Sequence, residues 1–492
     1  MQQLPNHFNK IIFILIASIP FSVFAGTDIS MELYKEKKYE EAFQYFNELA
    51  EVGNAQAMYN IGIMYFKGEG VKRDLPRAYA WMSVANEKLP KEEYKQTAGE
   101  IFNTLFESEQ KTAKELTAEL NARFNAEEVN KNLAPEPLSD KDCTQDAIPV
   151  RRKNPQYPAI AISKGLMGTV IAEFTISPQG YVRDLIITPA SSPEFAKASV
   201  DAISHWRYYP RVENSKAVPK LGTRARLIFL IDESGQATNK RAILSELNIV
   251  RDKANAGDAA EQYKYALMLD KYKMFQSFLK GINLEYQEAN KWYLASAVGG
   301  LTNAQFYLGR NMAEGFGCKI DEQRGTKWIR SAAIGGYSPA QRFLAVKMIS
   351  DPDEQKYREA IKFLKYSVDQ DDYYPAKILL AWEYATSFLD DVRNGQAALD
   401  LLKSEAKDYY DPVRIKETEA AAYAETGDYA MAVHAQDNAL EEAKKYGWDI
   451  AEMHSRLESY KENKPWRGEY YVSISPPPKI ETPDVPDNLK KK

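Results

Sequence analysis

Cysteine and histidine are scarce in this 492-residue chain, with two of the former and four of the latter. Cys143 and Cys318 stand apart, no Cys-x-x-Cys occurs, and His205, His434 and His454 are scattered, so no zinc-ligand spacing is present. A disulfide between the two cysteines is allowed in an oxidising compartment, and two separate thiols are equally compatible. The chain also lacks a Gly-x-Ser-x-Gly elbow, a phosphate loop and a zinc-protease helix. Gly68-Glu69-Gly70 and Gly315-Phe316-Gly317 fall between helical patterns rather than after a strand. The acid pairs Asp371-Asp372 and Asp390-Asp391 read as solvated. His205 beside Trp206 has no acid or nucleophile partner in view, so its expected role is structural. The expectation is therefore a protein that is not an enzyme, with no metal and no cofactor. A basic excess is missing too: 64 Lys and Arg face 69 Asp and Glu, a net charge of −5, which excludes nucleic acid as the expected partner.

Long apolar runs are confined to the start. Lys10 precedes an apolar stretch at 11–24, and Val23-Phe24-Ala25 before Gly26 fits a small-residue cleavage site. About 14 apolar residues make roughly 21 Å of helix against a hydrocarbon core of about 30 Å, and Pro20 interrupts them. The expectation is a signal peptide at 1–25 and an exported, periplasmic protein. A retained segment would instead place the chain at the inner membrane, facing the periplasm. No later stretch reaches the roughly 18 apolar residues that a span needs.

The most informative stretch is 154–232. It opens Asn154-Pro155-Gln156-Tyr157-Pro158, passes Gly165 and Gly168, and enters the β-branched run 169–176. Ser177-Pro178-Gln179-Gly180 has turn chemistry, and 181–188 completes a hairpin pattern. A helix starts at Pro193 with Phe195, Ala198, Ala202 and Trp206 on one face. After Pro210, residues 223–231 supply a third strand. The order β-β-α-β makes one small α+β domain. Tyr157-Pro158 either sets an extended entry to the sheet or contacts a partner, Gly165 and Gly168 read as backbone devices, and Trp206 reads as core.

This order of residues resembles the C-terminal domain of TonB-family energy transducers, through Tyr157-Pro158, the Gly165/Gly168 pair with Val170, the Gly180 turn, the 206–210 segment and the closing apolar strand. The resemblance covers about a sixth of the chain. It implies binding of an extended segment of an outer-membrane transporter as an added strand, where backbone hydrogen bonds give affinity and side-chain pockets give selectivity. The chain departs from the family in carrying the domain mid-chain, without a long Pro-rich spacer before it and with only a short apolar run at its start.

Around this domain a 36-residue period repeats. Ala42 to Ala78, Trp292 to Trp328, Ala297 to Ala333, Gly300 to Gly336, Ala304 to Ala340 and Ala340 to Ala376 all obey it. Such spacing marks stacked helix pairs, none of which buries its apolar face alone. The units resemble the Sel-one-like repeat, and 417–460, with Gly427, Ala432 and Ala439, resembles a tetratricopeptide unit. Trp292 and Trp328 are expected as core ridges. The leading array holds about one and a half repeats, too few to stand alone, so its helices at about 91–124 are expected to dock on the small domain or the downstream array.

The expected fold class is thus a multidomain α-helical repeat solenoid with an inserted α+β domain. The expected divisions are a signal peptide at 1–25, repeats at 26–127, an extended linker at 128–150 and the TonB-like domain at 151–232. Repeats at 245–410, a capping repeat at 411–465 and a disordered Pro/Lys tail at 466–492 follow. The expected function is recognition of an envelope protein, with an outer-membrane TonB-dependent receptor as one candidate. The solenoid would hold a second partner. Expected contact residues are Tyr157, Pro158, Arg224, Arg226 and Ile228, plus Phe275 and Phe278 of an insert at 274–279. Energy transduction through a retained anchor, and a cell-wall or polysaccharide scaffold, are the competing functions.

Overall fold

A computed structural model describes residues 28–137, 148–164, 166, 168–187, 193–229, 236–273, 286–404, 409–472 and 474–478. The apolar segment 1–25, Cys143, Gly165, the insert with Phe275 and Phe278, and residues 479–492 lie outside them.

The chain starts with α1 (Ile29–Lys35), α2 (Tyr39–Glu51), α3 (Ala55–Lys67), α4 (Leu75–Lys88), α5 (Glu92–Thr104), α6 (Glu107–Phe124) and α7 (Ala126–Leu133). Local chemistry marks each boundary. Asn54 and Asp74 accept the N–H groups of Ala57 and Arg77 at the starts of α3 and α4. Gly68 closes α3 in the left-handed region, φ +75°. Gly62 lies at the α3–α4 crossing, where a Cβ would sit 2.6 Å from Met82 Cγ. The small residue of the repeat is therefore there to let the helices approach.

The small domain follows: β1 (Pro149–Arg151), α8 (Ala159–Ser163), β2 (Gly168–Ile176), β3 (Val182–Ile187), α9 (Pro193–Ile203), β4 (Arg207–Tyr208), β5 (Arg211–Glu213), β6 (Lys216–Val218) and β7 (Lys220–Phe229). Its main sheet is antiparallel, in the order β3-β2-β7, so β2 is central. The hairpin β5–β6 is additional to the expected β-β-α-β order; it turns at Asn214-Ser215, both at positive φ.

The downstream array comprises α10 (Gln236–Asn255), α11 (Ala259–Lys273), α12 (Tyr286–Val298), α13 (Thr302–Glu314), α14 (Glu322–Ile334), α15 (Ser338–Ile349), α16 (Glu354–Asp371), α17 (Tyr374–Thr386), α18 (Gly395–Leu402), α19 (Pro412–Glu425), α20 (Tyr429–Lys445) and α21 (Ala451–Lys461). The pair α13–α14 repeats the α3–α4 design: Gly315 ends the first helix at φ +77°, Asp321 caps the second, and Gly309 faces Gly325 at the crossing. Trp328 is fully buried, as expected of a ridge residue.

The two arrays share one apolar core, in which Phe46, Ile61 and Met64 join Phe306, Ile329, Phe343 and Phe363. The docking helix differs from the expected one. It is α2 that reaches across: Tyr45 stacks on Phe363 and donates to Glu359 at 3.0 Å, and Arg330 donates to both Glu48 and Glu359 at 2.8 Å. Helix α6 instead folds back on α4, with Phe124 against Trp81.

Two expectations about irregular segments are corrected. The linker was expected to be extended, yet its start is α7, with Val129 and Leu133 buried against the downstream array. Trp328 Nε1 donates to Leu133 O at 3.0 Å, and Lys319 N to Glu136 O at 2.9 Å. The tail was expected to be disordered from 466, yet Tyr470 is buried against Trp382 and Trp466 packs beside it. Large aromatic side chains hold this strap to the array, because burying them outweighs the cost of ordering a short segment.

Candidate functional site: the inserted sheet and its open edge

Alternation along the strands gives the sheet two faces. On one, Val170, Ala172, Phe174 and Ile176 of β2 join Ala225, Leu227 and Phe229 of β7 under Phe195 and Ile203 of α9. Trp206 completes this core, its Nε1 donating to Lys153 O at 2.7 Å. The other face carries Glu173, Arg224 and Arg226. In an isolated antiparallel sheet such a face would be solvated; here it rests on the solenoid.

The contacts on that face are ionic and buried. Arg310 of α13, with a side chain only 1% exposed, donates to Glu173, to Gly222 O and to Glu314. Arg224 donates to Asn311 and Glu314 at 3.0 Å and lies over the Phe316 ring. Arg226 Nη1 donates to Asp270 O at 3.2 Å. Burial pushes the Glu314 carboxyl upward, but Arg224 and Arg310 more than reverse that and hold it below the ordinary carboxylate range. Gly222, at φ +64°, lets β7 come this close: a Cβ there would lie 2.9 Å from Phe343 Cε2.

The two edges of the sheet differ. The β3 edge is covered by the chain itself: Tyr410 N donates to Leu185 O at 2.7 Å, and Ile186 forms a bridge with Tyr409. Asp184, at φ +51° beside a bulge, is held there by three partners. Asp411 accepts its N–H at 2.9 Å, while Tyr409 and Tyr471 donate to its carboxylate at 2.8 and 2.6 Å. Burial would raise the Asp184 carboxyl, and Arg414, Arg342 and the two phenols together keep it lowered. The outer edge of β7 has no strand beside it among the described residues; the array reaches its backbone where Arg310 donates to Gly222 O.

The expected contact residues do not gather at that edge. Tyr157 packs edge-on against Phe195 and Phe229 at 5.6 Å and donates to Leu166 O, so it serves the domain core. Pro158 caps α8. Arg224 and Arg226 are held by the chain's own acids, a correction to their expected role as partner contacts. The reason is that their face meets the array rather than solvent. Ile228 lies opposite Thr169 in the β2–β7 ladder. The residues that decide which edge is open were not identified from sequence. Asp411 and Pro412 form a readable helix start, but nothing in it announces a partner 228 residues upstream.

Comparison with known proteins agrees with this geometry. Residues 153–225 match the family model described as Gram-negative bacterial TonB protein C-terminal. Residues 33–54, 55–88 and 302–337 match the Sel1 repeat. The chain carries a TonB C-terminal domain set among Sel1 repeats. A curated relative, Protein TonB of Pseudomonas aeruginosa, is 32% identical over 80 residues, which are 16% of this chain and 23% of the relative. The chain thus spans less than a quarter of that relative's length. Among solved structures, c5321, a protective antigen of uropathogenic Escherichia coli displaying an SLR fold, is 16% identical and covers 86% of this chain and 80% of its own, with a TM-score of 0.30. A Sel1 repeat protein from Oxalobacter formigenes is 20% identical over 47% of this chain and 84% of its own, with a TM-score of 0.28. Both matched families are typically non-catalytic interaction modules, and the TonB similarity points to a protein-interaction role at the envelope.

Proposed function

We propose that the outer edge of β7 takes an extended segment of an envelope protein as an added strand, and that the chain does this in the periplasm as a non-enzymatic adaptor. What supports this reading is the asymmetry of the TonB domain's two edges: β3 is sealed by residues 409–411, while β7, paired with β2 on its inner side, has no strand on its outer side among the described residues. An unpaired row of backbone donors and acceptors is what strand addition uses. The family resemblance supplies the partner class, an outer-membrane transporter, and the ionic seam on the far face keeps the sheet rigid enough to present its edge. A second partner, if the helical arrays hold one, meets a surface other than the part of the array on which the sheet rests.

The test is titration of the full chain with synthetic peptides from the amino-terminal segments of outer-membrane transporters of the same cell. Each peptide is also made with single N-methylated backbone amides. Strand addition predicts at least a tenfold loss of affinity for methylation at alternate positions and tolerance between them. Uniform tolerance, or no binding by any such peptide, rejects the proposal.

A further inference from the structure

Charge is distributed unevenly along this chain. Residues 151–229 contain 12 Lys and Arg against 5 Asp and Glu, a balance of +7 within a total of −5, which leaves −12 elsewhere. Three of these cations, Arg183, Arg224 and Arg226, face the array and are paired there. Among exposed side chains of the stretch, seven cations face two anions. Both anions are already paired within the domain, Asp201 with Lys153 at 2.8 Å and Glu213 with Arg211 at 2.6 Å.

Three of the five unpaired exposed cations, Arg151, Arg152 and Lys216, lie on β1 and on the hairpin that follows its partner β4, among exposed apolar side chains. Strand β1 pairs with β4, and Tyr209 N donates to Ile148 O at 3.0 Å, so Ile148 and Tyr209 are neighbours, 65% and 40% exposed. Arg151 and Arg152 continue β1 outward. Arg152 lies over the Tyr208 ring and donates to its hydroxyl at 3.2 Å, while Arg151 donates to His205 O at 3.4 Å. These acceptors are neutral, so both charges stay uncompensated. The hairpin that follows adds Val212, 52% exposed, and Lys216 at its turn. Among the described residues no carboxylate pairs with Arg151, Arg152 or Lys216.

We propose that this corner rests on an anionic phospholipid surface. Three uncompensated cations beside three apolar tips suit a headgroup layer. Diffuse negative charge attracts the cations, and the tips enter the boundary below the phosphates. The charge asymmetry supplies orientation as well. The remaining −12 is repelled by an anionic surface, which favours approach by this corner. The domain that carries β7 would then lie against the bilayer, which is where a segment leaving a membrane-embedded partner emerges.

The experiment is co-sedimentation of the full chain with vesicles of phosphatidylcholine alone and with about one third phosphatidylglycerol. Two variants accompany the wild type: the charge reversal Arg151→Glu/Arg152→Glu/Lys216→Glu, and the tip variant Ile148→Ser/Val212→Ser. The substituted side chains lie on or directly beside the short strands β1, β5 and β6, so the thermal transition of each variant is recorded as a folding control. We expect binding to anionic vesicles only, a loss of at least tenfold in the charge reversal, a smaller loss in the tip variant, and weakening as salt is raised. Equal binding to neutral vesicles, or binding unchanged by charge reversal in a folded protein, overturns the proposal. So does absence of vesicle binding with retention on immobilised polyglutamate, which would assign the corner to an acidic protein. Failure here leaves the peptide titration intact, since β7 is not altered.

Discussion

Arg183 Nε on β3 donates to Asp411 Oδ2 at 2.8 Å, across 228 residues of chain. The same carboxylate oxygen accepts the N–H of Asp184, and its other oxygen caps α19 by accepting from Arg414 N at 2.8 Å. One side chain therefore starts a repeat helix, holds the bulge of β3 and pairs the buried guanidinium beside it. Glu417 and Tyr470 complete the cage around Arg183.

Breaking that cage is expected to be costly. Arg183→Ala removes the cationic partner of Asp411, whose side chain is 2% exposed and keeps only the N–H groups of Asp184 and Arg414, while Glu417 retains Arg456; removal of one partner of a buried pair costs about 3–5 kcal/mol. Urea denaturation of the variant checks this. The variant should also free the β3 edge, so that chymotryptic sites at Tyr409 and Tyr410 open before the array unfolds. A loss under about 1 kcal/mol would mean that the pair does not fasten the domain.

Gly222 tests the seam on the other side of the sheet. Gly222→Ala places a methyl group against Phe343 and Arg310 at a positive-φ position, and such a change costs about 1–3 kcal/mol. The expected result is a lower denaturation midpoint together with faster proteolysis between the TonB domain and α10. Unchanged stability would show that the sheet does not sit this tightly on the array.

Buried acids divide the pH response into two windows. Glu383, on α17 facing a cavity of about 60 Å³ beneath the strap, has its carboxyl pushed up to about 7 by burial, against the Tyr357 hydroxyl that donates to it at 2.7 Å. A folded-state value above the unfolded one means that the native state holds the proton more tightly. Its contribution is therefore full below the ordinary carboxylate range and is lost as pH rises through about 7. Thermal stability should fall between about pH 4.5 and 7 by roughly 3 kcal/mol from this group, and Glu383→Gln should flatten that slope. Glu452, Glu469, Asp28 and Glu32 are also raised by burial and act in the same direction. Glu314 and Glu417 are lowered, so their contribution is lost only under acid conditions. A variant with the wild-type slope would remove Glu383 from the account.

The repeat helices and the β-β-α-β core were legible in sequence because both depend on local pattern. The 36-residue period places small residues such as Gly62 and Gly309 at helix crossings, and alternation in 169–176 puts every second side chain under α9. What escaped was everything fixed by distant partners. The charges on Glu173, Arg224 and Arg226 have the pattern of a solvated sheet face, and only the fold reveals that an array covers them. Helix α7 had a readable start, Asn125 accepting from Glu128 N at 2.8 Å with acids in its first turn, but Pro135 and Pro137 weighed toward an extended linker. In the tail, Trp466, Tyr470 and Tyr471 were the overlooked signal, since three aromatics are uncommon in a segment that stays unfolded.

The central claim, that β7 offers a free edge, is tested most directly by amide hydrogen exchange across 220–229, with and without a bound transporter peptide. The account predicts alternation in the free protein: amides turned toward β2 exchange slowly and those between them exchange fast, and the fast set alone slows on binding. Uniform protection along β7 in the free protein, or peptide binding that leaves the fast amides fast, would contradict it.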